Sequence, residues 1–73
     1  MPKLPSIKPK DLIKKFQNFG YEKDRQRGSH VILYHREWKK RIVIPLHVRD
    51  LPTGTLHAII KQSGVAKSEF KKS

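Results

Sequence analysis

The groups in this chain that could do chemistry are four histidines, six carboxylates and a large excess of cations, with no cysteine among them. The missing thiols remove disulfides, thiolate nucleophiles and thiolate metal sites together, and they fit a reducing compartment without requiring one. Asp11, Glu22, Asp24, Glu37, Asp50 and Glu69 are scattered along the chain, and no pair has the spacing to hold a divalent ion between them, so a two-metal nuclease is not expected. The histidines carry no zinc signature either, because no two stand at i, i+4 and no thiolate completes a tetrahedral set. Neither metal nor cofactor is expected, and what remains is proton transfer. Imidazole suits it, with an unperturbed pKa of about 6.5. RNA is a substrate that permits metal-free cleavage. Its own 2′-hydroxyl can attack the adjacent phosphate if one group takes the proton, another protonates the departing 5′-oxygen, and cations steady the charge on phosphorus.

Position chooses among the four histidines. His30 follows Gly28 and Ser29 at the mouth of an expected strand and is flanked by Arg25 and Arg27, where a flexible loop and two guanidiniums could bring a phosphate to the ring. It is the first candidate, although a turn histidine that merely caps a strand is the simpler reading of these residues taken alone. His35 lies five residues on, so a regular strand points it to the opposite face and makes it structural. His47 ends a third strand and lies beside His30 only if the hairpin register pairs them; a slip of one residue would send it to the other face. It ranks second, as a helper. His57 adjoins the apolar stripe of a helix and is expected to be exposed.

The elements that must position these groups follow from periodicity. Pro2, Pro5 and Pro9, with Lys3 and Lys8 between them, make residues 1–9 a flexible basic arm. Leu12, Ile13, Phe16 and Phe19 fall on one stripe of a helix of about ten residues starting at Lys10, with Gly20 as its terminator. Its other face carries Lys10, Lys14 and Lys15, either a solvated face or a phosphate-facing patch. Tyr21 to Gln26 reads as a polar strand, residues 27–29 as a turn, and His30 to His35 as an apolar strand. A charged loop around Trp38 leads to a third strand, Arg41 to Leu46, which Pro45 marks as ending or lying at an edge. Leu56, Ile59 and Ile60 form a second helical stripe from Thr53 to Gly64, with Thr53 or Thr55 as its cap. A short turn at Lys67 to Phe70 brings Phe70 back to the core, and residues 71–73 are a basic tail. Helix, three antiparallel strands and helix pack economically as an α+β sheet with both helices on one face, a single domain over residues 10–70.

Composition narrows the partner. A chain of 73 residues supports one small core. Its 17 Lys and Arg against 6 Asp and Glu leave a net charge of +11, above the range of about 2 to 8 usual for a small soluble domain. Such a surplus favours a polyanion through counterion release. A membrane surface is the rival, but basic membrane binders usually expose a broad apolar helix face, and here the apolar residues are needed inside. Neither an export signal nor a long apolar span is evident, so no membrane partner is expected and the cytoplasm is the expected compartment.

Arg25, Gln26, Arg27, Gly28, Ser29 and His30, then Ile44, Pro45, Leu46 and His47, then Gly54, Thr55 and Leu56, with Ile59 to Gln62, Gly64, Glu69 and Phe70, form a series that resembles the HicA toxin family in order and spacing from about Leu12 to Phe70. The resemblance implies the fold of double-stranded-RNA-binding domains, a toxin of a type II toxin–antitoxin pair that cleaves mRNA without metal, and a HicB-type antitoxin that covers its active site. It places the catalytic histidine on His30, and Gly54 and Thr55 at a helix start where free N–H groups can hold phosphate. With Arg25, Arg27, Gly28, Ser29, Lys14 and Lys15 these make up the expected RNA contacts. Val31 departs from relatives that carry a polar residue or histidine directly after the catalytic one. The competing reading is a non-catalytic RNA-binding module of the same fold, gripping A-form duplex; a structural ribonucleoprotein component is a third, disfavoured by a Gly, Ser, His turn beside two arginines.

Overall fold

The computed structural model describes residues 7–70. It contains α1 (Pro9–Asn18), β1 (Tyr21–Arg27), β2 (His30–His35), β3 (Lys40–Pro45), α2 (Thr53–Ser63) and a closing 3₁₀ turn, Lys67–Phe70. Residues 1–6 of the expected arm and the 71–73 tail lie outside the described residues, while Ile7 packs against the core and Pro9 opens α1.

Each element has a local cause. Proline is suited to the first turn of α1, because its missing N–H would have no helical partner there. The helix ends where the Gly20 N–H bonds Gln17 O at 3.1 Å and Gly20 adopts a φ of 101° that turns the chain into β1. α2 closes on Gly64, left-handed at φ 79°. Its start departs from expectation. Neither Thr53 nor Thr55 caps it, because Pro52 occupies the cap position and its carbonyl takes the Leu56 N–H at 2.9 Å, which makes Thr53 already helical.

The strands form one antiparallel sheet in the order β1-β2-β3. Alternation sends Val31, Leu33, Ile42 and Ile44 to one face, where Leu12 and Phe16 of α1, Leu56, Ile59 and Ile60 of α2, and Phe70 complete the core. Both helices therefore share a face, as in double-stranded-RNA-binding domains. The other face is left open, with Val43 42% exposed and Ile32 and Tyr34 half-buried.

The two ends of the sheet are distinct. Near the start of β1, the Tyr21 hydroxyl donates to Ser63 O at 2.6 Å and His35 reaches Phe19 O, so the helix C-termini gather there. At the opposite end the Leu46 N–H bonds Ser29 O at 2.6 Å and the Leu51 N–H bonds Ile7 O at 3.2 Å. That is the end of the Gly28 turn, the β3 terminus and both helix N-termini.

Candidate active site at one end of the sheet

His30 is placed by the turn that precedes it. Arg27 and His30 are cross-strand partners, which leaves Gly28 and Ser29 as a two-residue loop. Gly28 takes φ 59° and Ser29 does not share a positive φ, the pattern of a type II′ turn, with glycine first. His30 then starts β2 on the open face and is exposed.

His47 arrives by register. His30 pairs with Pro45, and the Leu46 N–H to Ser29 O bond carries the ladder one step further. Two residues past Pro45, His47 returns to the open face, and its ring centroid lies 5.9 Å from that of His30 with the rings tilted by 59°. The register pairs His30 with Pro45 and not with His47, so the direct pairing that the sequence reading required is absent, and His47 comes beside His30 as a diagonal neighbour. No hydrogen bond or ion pair among the described residues engages either ring.

The arginines reach this face through an irregularity that sequence reading missed. The β1–β2 pairing shifts between Lys23 and Arg25, leaving Asp24 as an extra residue. Counting back from Arg27 without the shift would set Asp24 opposite Leu33 and Glu22 opposite His35, both on the helix-covered face. Burying carboxylates against apolar helices without partners costs several kcal/mol, and the bulge avoids it. Tyr21 then turns inward opposite His35, while Arg25 pairs with Ile32 and Arg27 with His30. The parity of Glu22 and Asp24 against Leu33 and His35 was the available signal. Arg41 also belongs to this face and was not singled out. It lies 5.2 Å from the Tyr34 ring centroid and 3.9 Å from Asp24 Oδ2, which Arg25 approaches at 3.7 Å. These exposed, long ion pairs hold little energy, and among the described residues Arg27 has none.

The remaining expected contacts are on the other layer. Gly54 and Thr55 start α2 at the same end of the molecule as His30, with no side chain capping that terminus. Lys14 and Lys15 lie further along α1, across the sheet from His30; Lys14 is exposed and Lys15 sits 5.8 Å over the Phe70 ring. His57 is half-buried and not exposed as expected, and it lines a depression together with Ile60 and Val65.

His35 is structural. It is 3% exposed. Its Nδ1 receives the Trp38 N–H at 3.0 Å, so the proton is on Nε2, which donates to Phe19 O at 2.8 Å. Trp38 stacks on the ring at 3.9 Å and 5°. Both nitrogens are occupied.

Among the described residues, no three His, Cys, Asp or Glu side chains come together as a metal set, and no helix is long and apolar enough to cross a membrane. Set against known proteins, residues 9–65 match a family described as HicA toxin of bacterial toxin-antitoxin, more than half of the chain. No curated protein matches.

Proposed function

The chain belongs to the HicA family of toxins of bacterial toxin–antitoxin systems, and on that premise we propose that it is a metal-independent endoribonuclease that cleaves mRNA, with His30 as general acid or base. The observation that carries this reading is the pairing of His30 with His47 at 5.9 Å, with Arg27 directly across from His30. Two imidazoles so placed can divide the proton steps. One removes the proton of the ribose 2′-hydroxyl, whose oxygen forms a bond to phosphorus. The bond from phosphorus to the 5′-oxygen breaks, and that oxygen takes a proton from the other imidazole, leaving a 2′,3′-cyclic phosphate and a free 5′-hydroxyl. Arg25 and Arg27 stabilise charge on the phosphorane, and the Gly28 and Ser29 turn lets the backbone approach it. Gly54 and Thr55 supply N–H groups at the α2 terminus for a further phosphate, and Lys14 and Lys15 add distant attraction. In this reading the cognate HicB-type antitoxin covers the histidine pair and meets the basic face with acidic residues, and the toxin acts on mRNA in the cytoplasm.

The test is induction of the wild-type chain beside His30→Ala at matched protein levels, following growth and bulk mRNA integrity. The expected outcome is growth arrest and mRNA loss with the wild type alone. Cleavage by His30→Ala would remove His30 from the mechanism. Harmless expression of both chains, with RNA still bound, would make the protein a non-catalytic RNA-binding module.

A further inference from the structure

We propose that the groove beside His47, walled by Lys8, Pro9, Lys10, Leu46, Val48 and Arg49, is a nucleotide subsite that holds single-stranded RNA on one side of the scissile bond; this rests on the ribonuclease reading above. The groove has a volume of about 480 Å³, against 320 and 170 Å³ for the two other depressions described. Its chemistry is divided. Pro9 is buried and Leu46 and Val48 are half-buried against the core, forming an apolar floor, while Lys8, Lys10 and Arg49 stand exposed at the rim. Asp11 is the single carboxylate lining it, so the rim keeps a net positive charge. A nucleotide presents the matching halves, a base with an apolar face and an anionic phosphate.

Continuity with the histidines selects RNA over an acidic peptide. Leu46 and Val48 flank His47 in sequence and, by alternation, point to the helix side while His47 points to the open side. His47 thus stands on the lip between the candidate active centre and the groove. A strand whose phosphate lies between His30 and His47 enters the groove by turning around the end of β3. A flexible single strand can make that turn, whereas a duplex, recognised by its regular shape across successive grooves, cannot. None of these three cations belongs to the Arg25 and Arg27 cluster, and they converge from α1 and from the loop after β3.

The experiment measures binding of a labelled single-stranded RNA decamer to the His30→Ala chain, alone and with Lys8→Gln, Arg49→Gln or both, across a salt series. A Lys61→Gln/Lys67→Gln chain removes the same charge from the other side of the molecule. The groove variants are expected to weaken binding about two- to fivefold per cation, the range of an exposed ion pair, and to lower the salt slope by about 0.7 per cation. The control is expected to leave the slope unchanged. With His30 restored, kcat/KM on a dinucleotide, which fills only the scissile position, is expected to stay as in the wild type. Groove variants that match the control, or that impair dinucleotide and decamer equally, would overturn the subsite. Cleavage by the wild type with groove variants like the control sinks the groove and leaves the ribonuclease standing. Groove-dependent binding without any cleavage removes the ribonuclease reading and with it the subsite, leaving the groove as a plain single-strand contact, and a wild type that neither binds nor cuts RNA removes both.

Discussion

β2 starts and finishes with a histidine, and the environments of the two rings are opposite in kind. At the His35 end, Phe19 O, Gly20, Tyr21 and Trp38 close around an imidazole whose two nitrogens are both engaged. At the His30 end, a two-residue turn and a chain leaving β3 bring a second imidazole to 5.9 Å, and neither ring is held by a described partner. The residue type is the same and the strand is the same. Alternation over five residues decides which ring contributes stability and which remains open to a substrate. The lesson is that a histidine's chemistry is set by how many of its nitrogens the fold leaves uncommitted.

The largest expected contrast comes from removing each ring in turn. His30→Ala is expected to lower RNA cleavage about 10²- to 10⁴-fold, the usual scale of a general acid or base, with little change in the melting curve. His35→Ala is expected to destabilise the fold by about 2–4 kcal/mol, since it opens a cavity and strands the Trp38 N–H and Phe19 O, while the folded fraction keeps its specific activity. Paired denaturant melts and cleavage assays on the two variants check this; a large stability loss in His30→Ala would erase the distinction between the ends. The glycines sharpen it. A methyl added at Gly20 would sit 2.6 Å from His35 Nε2 at φ 101°, so Gly20→Ala is expected to cost about 2–4 kcal/mol through clash and backbone strain together. Gly28 at φ 59° has nothing within 4 Å of an added methyl, so Gly28→Ala is expected to cost only about 1–2 kcal/mol for the left-handed backbone. Equal losses would mean that the packing around His35 is looser than its contacts indicate.

What could be read in advance follows the same division. Stripes at helical spacing and glycines at φ of 101° and 79° mark α1 and α2 to within a residue or so, because both signals are local. The apolar run of β2 and the Gly28 and Ser29 turn are local too, and they place His30. His47 could be named only conditionally, since its neighbour depends on a register set by Ser29 O and Leu46 N. The bulge at Asp24 is not local at all. It exists because α1 and α2 cover one face of the sheet, and only once that is known does the parity of Glu22 and Asp24 demand an extra residue. The same holds for the half-burial of His57 and for the groove, whose Lys8 and Arg49 are separated by most of the chain.

The smallest expected effect probes the closed end through Tyr21. Burial raises the Tyr21 phenol above the ordinary tyrosine value, since ionisation would place an unsolvated charge beside Ser63 O. The neutral form is thus favoured by folding. Its stabilising contribution is fully present below about pH 10, where an unfolded tyrosine is still protonated, and it is lost as the pH rises through the higher folded value. Tyr21→Phe keeps the ring against Phe16 and His35 and removes only the 2.6 Å hydrogen bond to Ser63 O. It is expected to cost about 1 kcal/mol at pH 7, and the difference from the wild type should shrink as the pH passes 10, because the wild type then carries a penalty the variant lacks. Urea melts of both chains at pH 7 and at about pH 11 measure that difference directly, with the lysine titration common to both. A gap that stayed constant with pH would mean that water reaches the phenol, and the end that holds His35 would be less closed than its packing shows.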